Sequence, residues 1–92
     1  SAYHAQHKLP QAATAAATAL KLAQAAQDPL SVADAEFTLA RVRFDQGARA
    51  EAIGLIEHAL PAFVSAGPAG EEYIADLTAW VHKQRIVIKG LP

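Results

Sequence analysis

The chain has 92 residues, 52% of them hydrophobic, with eight lysines and arginines against nine aspartates and glutamates and a formal net charge of −1. That length supports one small domain; a near-neutral balance without runs of like charge excludes a nucleic-acid footprint or a polybasic membrane anchor, and the lack of cysteine excludes disulfides and thiolate metal sites. Alanine, the best helix former, inflates the hydrophobic fraction and aromatic residues make up only 7%, so the expected fold is all-α with a thin, close-packed core. No apolar stretch reaches membrane-spanning length and no signal-peptide pattern opens the chain, so a soluble, cytoplasmic protein without membrane contact is expected. A start at Ser1-Ala2 without methionine reads as a fragment of a larger bacterial protein.

In chain order, residues 1–9 are polar and weakly patterned and read as a flexible N-terminal segment. Pro10 suits the first turn of a helix. From there to Gln27 an alanine-rich run places Ala15, Thr18 or Ala19, Leu22, Ala25 and Ala26 on one face. Asp28-Pro29 stops this helix and starts the next, because aspartate caps exposed amides and proline fits the first turn; Ser31 with Asp34 is an alternative start. In the second helix Ala33, Phe37, Ala40 and Phe44 recur on one face, flanked by Val32, Ala35, Leu39 and Val42. Gly47, free to take a positive φ, ends it near Gln46. The third helix, Ala48 to Ala66, carries Ala48, Ala52, Leu55, Ala59 and Ala62 in one stripe, widened by Ile53, Ile56, Leu60 and Val64. Two apolar faces joined by so short a turn fold back into an antiparallel hairpin. Pro61 predicts a bend between Glu57 and Pro61. Gly54 predicts a close helix crossing, since an interior glycine otherwise costs about 1 kcal/mol against alanine.

The pattern Leu39-Ala40, Gly47 at the turn, then Ala52, Ile56 and Ala59-Leu60 resembles one tetratricopeptide repeat over Ala33 to Leu60. The resemblance implies antiparallel helical hairpins stacked as a short α-solenoid of about four helices. Small residues at Ala40, Ala52 and Ala59 would let two helix axes approach closely, where bulky ones would force them apart. Glu36 and Arg43 stand where that family prefers aromatic or aliphatic residues, Phe37 and Phe44 follow one position later, and Val64 holds the place of the family's closing proline. Shifted by 34 residues, the first helix echoes the third, with Ala19 on Ile53, Leu22 on Ile56 and Ala26 on Leu60, and so resembles the second half of a preceding repeat.

Gly67-Pro68-Ala69-Gly70 is the strongest break in the chain. A fourth helix should begin with Glu71 and Glu72 and end with Lys83 and Arg85, charges that complement the helix dipole, with Tyr73, Ile74, Leu77, Trp80 and Val81 as its stripe. It reads as the first helix of a following repeat or as a cap over the third. Residues 10–85 then form the helical domain and 86–92 a C-terminal tail, in which Ile86-Val87-Ile88 either continues the helix or lies extended on the body or on another copy.

Catalysis is not expected. His4 and His7 have a spacing that helical metal ligands use, but no third ligand accompanies them. His58 follows Glu57 as a base might follow its orienting acid, yet no nucleophile is placed nearby; glycine-rich phosphate loops and paired carboxylates are missing. The chain therefore reads as no enzyme, with no metal and no cofactor. The resemblance implies instead a docking surface for a protein or peptide, because Asp34, Phe37, Arg41, Phe44 and Asp45 take the places that line the family's groove. Arg41, beside aromatic rings, suits a partner's carboxylate held by forked hydrogen bonds. A competing reading puts Phe37 and Phe44 in the core, as for most large apolar residues at helical spacing. The expected function is a protein–protein interaction module or scaffold. One alternative is a self-association element that forms a homodimer through Trp80, Ile86 and Ile88; another is the regulatory domain of a larger signalling enzyme or transcription factor.

Overall fold

The computed structural model describes residues 2–91, with side chains from residue 8 onward, and in these residues it places four helices and no strand. They are α1 (Ala2–Ala26), α2 (Pro29–Asp45), α3 (Arg49–Ser65) and α4 (Pro68–Lys83). The side chains of His4 and His7, and with them any pairing of the two, lie outside the described residues. No helix among the described residues is long and apolar enough to cross a membrane. Pro10 lies inside α1 instead of opening it, where proline withholds one amide donor and crowds the preceding turn. α3 likewise continues through Pro61 to Ser65.

Three helix ends share one device. Gln27, Gly47 and Arg85 take φ of 56°, 88° and 57°, and in each case the next amide reaches back to a carbonyl five residues earlier: Asp28 N–H to Ala23 at 3.4 Å, Ala48 to Arg43 at 2.9 Å and Ile86 to Val81 at 3.0 Å. Such a left-handed residue satisfies carbonyls the helix leaves open and reverses the chain. Gly47 was legible as one; a glutamine and an arginine, which lack glycine's freedom, were not.

Asp28 is the N-cap residue of α2, extended at φ −102° and ψ 103°, with Pro29 at the first helical position. Its carboxylate makes no strict hydrogen bond to a first-turn amide. It accepts instead from the Ser31 hydroxyl at 2.6 Å, which, assisted by the nearby Ser31 and Leu30 amides, holds the Asp28 carboxyl below its ordinary value. The two starts suggested by the sequence, Asp28 and Ser31, are thus parts of one turn.

Successive helices pack on one another, α2 also touches α4, and among the described residues α1 lies against α2 alone. α2 and α3 are antiparallel. Glu36 meets His58 across the pair, and seven residues further along α2 Arg43 meets Glu51, seven residues earlier on α3. Along the pair runs a seam of small residues: Ala33, Ala40, Ala52 and Ala59 are all fully buried at 0% exposure. Around the seam Phe37, Ile56, Leu60, Phe63, Leu77 and Val81 fill the core, each such side chain contributing on the order of 2 kcal/mol by burial.

α4 starts at Pro68 and not at the glutamates. Only Gly67 (φ 65°) is the break, because proline presets the first-turn φ and opens the helix. This start brings Gly70 onto α3, where a Cβ would overlap the Phe63 backbone carbonyl, and the ring of Tyr73 stacks on that of Phe63 at 4.9 Å and 7°. Gly54, the residue expected at a close crossing, is exposed, and a Cβ there would meet nothing within 4 Å.

After α4 the chain runs extended along α3 in the same direction. Arg49 Nη2 donates to the Arg85 carbonyl at 3.5 Å, the Lys89 amide donates to Glu57 Oε2 at 3.4 Å, and Gly90 lies against Leu60. The spacing agrees: eight helical residues rise about 12 Å, and four extended residues span about 13 Å. Period-two alternation then buries Ile86 and Ile88 and leaves Val87 88% exposed. Residues 86–88 are therefore extended and docked on the chain's own core, and a turn from Ile88 to Leu91 follows them.

Two stability changes of opposite sign follow from the glycines. Gly70→Ala should lower the unfolding free energy by about 3 kcal/mol, because a backbone carbonyl cannot move aside as a flexible side chain would. Gly54→Ala should raise it by about 1 kcal/mol through helix propensity. Urea unfolding followed by circular dichroism measures both.

The Asp28–Ser31 contact has a sign that titration can read. Because the folded carboxyl is held down, its contribution to stability is present above the carboxyl's unfolded-state value and is lost as pH falls through the folded one. Ser31→Ala should move the Asp28 carboxyl upward in an NMR titration and reduce that acid-side dependence.

Candidate partner-binding face

α2 and α4 approach each other through aromatic residues. Trp80 of α4 stands edge-on to two rings of α2, at 6.1 Å and 77° to Phe37 and at 5.3 Å and 79° to Phe44. Such T-shaped pairs are favourable because a positive ring edge meets a negative ring face, by about 0.5–1.5 kcal/mol beyond burial. Phe37 is itself buried at 3% exposure, whereas Phe44 and Trp80 are half-buried. One helical turn beyond Phe37, Arg41 is exposed, with its guanidinium carbon 4.4 Å from the Phe37 ring centre. Arg49, from the first turn of α3, lies 5.7 Å over Phe44. Each arginine sits within the range at which a cation is attracted by a ring face.

The sequence-predicted groove residues are thus divided. Phe37, Arg41 and Phe44 come together on this face. Asp34 is half-buried and lines a cleft between α1 and α2 with Ala35 and Thr38. Asp45 is exposed on the last turn of α2. Phe37 belongs to the core as the competing reading had it, and also forms the wall on which Arg41 lies. Of the residues proposed for self-association, Ile86 and Ile88 are buried on the chain's own core and Trp80 packs against Phe37 and Phe44. Trp80 therefore shares a face with the groove residues, a juxtaposition that depends on the crossing of α2 and α4 and carries no signal in sequence spacing. Arg49 was missed for the same reason.

Arg43, in the last turn of α2, is differently placed. Its Nη1 donates to Gln46 Oε1 at 3.0 Å. Its Nε lies 2.7 Å from Glu51 Oε2 but is not directed along a hydrogen bond, so the pair is an ion contact at a half-open surface, worth under about 1 kcal/mol. Among the described residues Arg41 makes no such ion pair, and no group of three or more potential metal ligands occurs.

No family model, no curated protein and no solved structure matches the chain significantly.

The burial pattern predicts separable outcomes on this face. Phe37→Ala should cost about 3–5 kcal/mol in urea unfolding as a cavity in the core, whereas Arg41→Glu should leave stability within about 0.5 kcal/mol, as for an exposed position.

Proposed function

We propose that this chain is a protein–protein interaction module, a helical scaffold of tetratricopeptide-like hairpins, whose α2–α4 face docks an acidic segment of another protein. The observation that carries this reading is the exposed Arg41 guanidinium lying 4.4 Å over Phe37 beside the half-buried rings of Phe44 and Trp80. An arginine already braced on an aromatic wall loses little freedom on forming two parallel hydrogen bonds to a carboxylate. The neighbouring rings offer apolar area to residues flanking that carboxylate, and clusters of aromatic and arginine side chains are where interface energy concentrates. The repeat reading is supported by helices that pair in succession and by the alanine seam at the family's small-residue places. Docking is preferred to self-association because Ile86 and Ile88 already have partners within the chain.

Trp80 is the only tryptophan, so fluorescence excited selectively at tryptophan reports on this face alone. Titration with the peptide acetyl-Leu-Asp-Asp-Phe-amide should perturb Trp80 emission saturably. Arg41→Glu should weaken the binding at least about tenfold, or roughly 1.4 kcal/mol, and Arg41→Lys should recover it only in part, because lysine lacks the fork. Equal affinity in the parent and Arg41→Glu proteins would overturn the reading.

A further inference from the structure

A second surface, away from the aromatic face, has the opposite polarity. Where the start of α2 meets the end of α3, an open cleft of about 480 Å³ has a floor of Pro29, Leu30, Pro61 and Ala62. It adjoins another of about 340 Å³ that shares Pro29 and Ala62 and adds Val32, Glu36 and His58, with Gln24 of α1 and Gln27, just past its end, also lining it. Through these shared residues they make one trough, largely apolar in its lining, with the Glu36 carboxylate in the second cleft. Glu36 is 6% exposed, the buried charged residue of the core. Its Oε2 lies 2.6 Å from Nδ1 of His58, whose side chain is 75% exposed.

A carboxylate this deep needs a hydrogen-bonding partner, since removing its water without one costs several kcal/mol. The group beside it in the free chain is the His58 imidazole, whose side chain is three-quarters exposed, so it can swing away at little packing cost. The other acid lining the trough is Asp28, and no lysine or arginine lines either cleft. The nearest arginines along α2, Arg41 and Arg43, belong to the turns beyond Glu36 at the other end of the helix. The trough thus offers an apolar channel for an aliphatic stem, with a buried anion and amide oxygens in its lining.

We propose that this trough binds an arginine side chain of a partner protein, displacing His58 from Glu36. The aliphatic stem lies over Pro29, Val32 and Ala62, as long cationic side chains cover apolar surface with their methylenes. The guanidinium pairs with the Glu36 carboxylate, and its remaining N–H groups reach the side-chain oxygens of Gln24 and Gln27. Neutral isosteres keep the stem but leave Glu36 without its counter-charge, so charge, and not apolar area, decides the preference. This site is independent of the Arg41 face, which selects acidic groups.

The test uses acetyl-Leu-Arg-Leu-amide and its citrulline counterpart as probes, followed by the NMR resonances of Val32, His58 and Ala62. The arginine peptide should shift all three saturably and bind at least about tenfold more tightly than the citrulline peptide, a difference of roughly 1.4 kcal/mol. Glu36→Gln, nearly equal in shape and checked for folding by circular dichroism, should erase that difference. Equal binding of the two peptides by the parent chain, or no shift of these resonances at millimolar arginine peptide, would overturn the proposal without reference to any variant. A preference for arginine that persists in folded Glu36→Gln would overturn it as well.

Discussion

The close approach of α2 and α3 along their alanines is the constraint on which the other packing depends. Ala33, Ala40, Ala52 and Ala59 are wholly buried, and side chains this small let two helix axes come together without interdigitating bulk. Once the axes are close, the long side chains on the flanks of the seam are placed as well. Glu36 reaches His58 on one side, and Arg43 and Glu51 meet near the turn. Ile56, Leu60 and Phe63 project from α3 past the seam, and α4 and the extended tail close over them. A larger residue at any seam position would disturb all of these contacts at once, because the core is only one helix deep beyond it.

Two surfaces of opposite character result from this arrangement. On the α2–α4 side, rings brace exposed guanidinium groups. On the side where α2 begins and α3 ends, a largely apolar trough contains a buried carboxylate. A nearly neutral chain, with net charge −1, thereby presents local fields of both signs. Local fields, more than net charge, select partners and orient their approach.

The helices were readable because their signals are local. Asp28-Pro29 and Gly47 mark chain reversals by residue type, and the apolar stripes of α2 and α3 follow the helical repeat over many residues. The fourth helix and the tail were less readable. Gly70 looks like part of a loop signal in Gly67-Pro68-Ala69-Gly70, yet it is the glycine that a neighbouring carbonyl requires. Gly54 sits mid-helix, where a crossing is plausible, and faces open space. What separates them is the position of another helix, which no local pattern encodes. Burial of Glu36 is illegible for a similar reason, since its partner His58 lies on a different helix and in sequence stands next to Glu57. For the candidate face, Arg41 and the two phenylalanines followed from helical spacing, while Arg49 and the placement of Trp80 required the tertiary crossing.

The central claim is that the α2–α4 face is open to a different protein and not covered by a second copy. Solution mass by light scattering over a roughly hundredfold concentration range tests it most directly, because mass action makes any self-association visible on dilution. The expected result is the mass of a single chain throughout, with Trp80 emission unchanged. A dimer that dissociates on dilution and exposes Trp80 to solvent as it does so would contradict it.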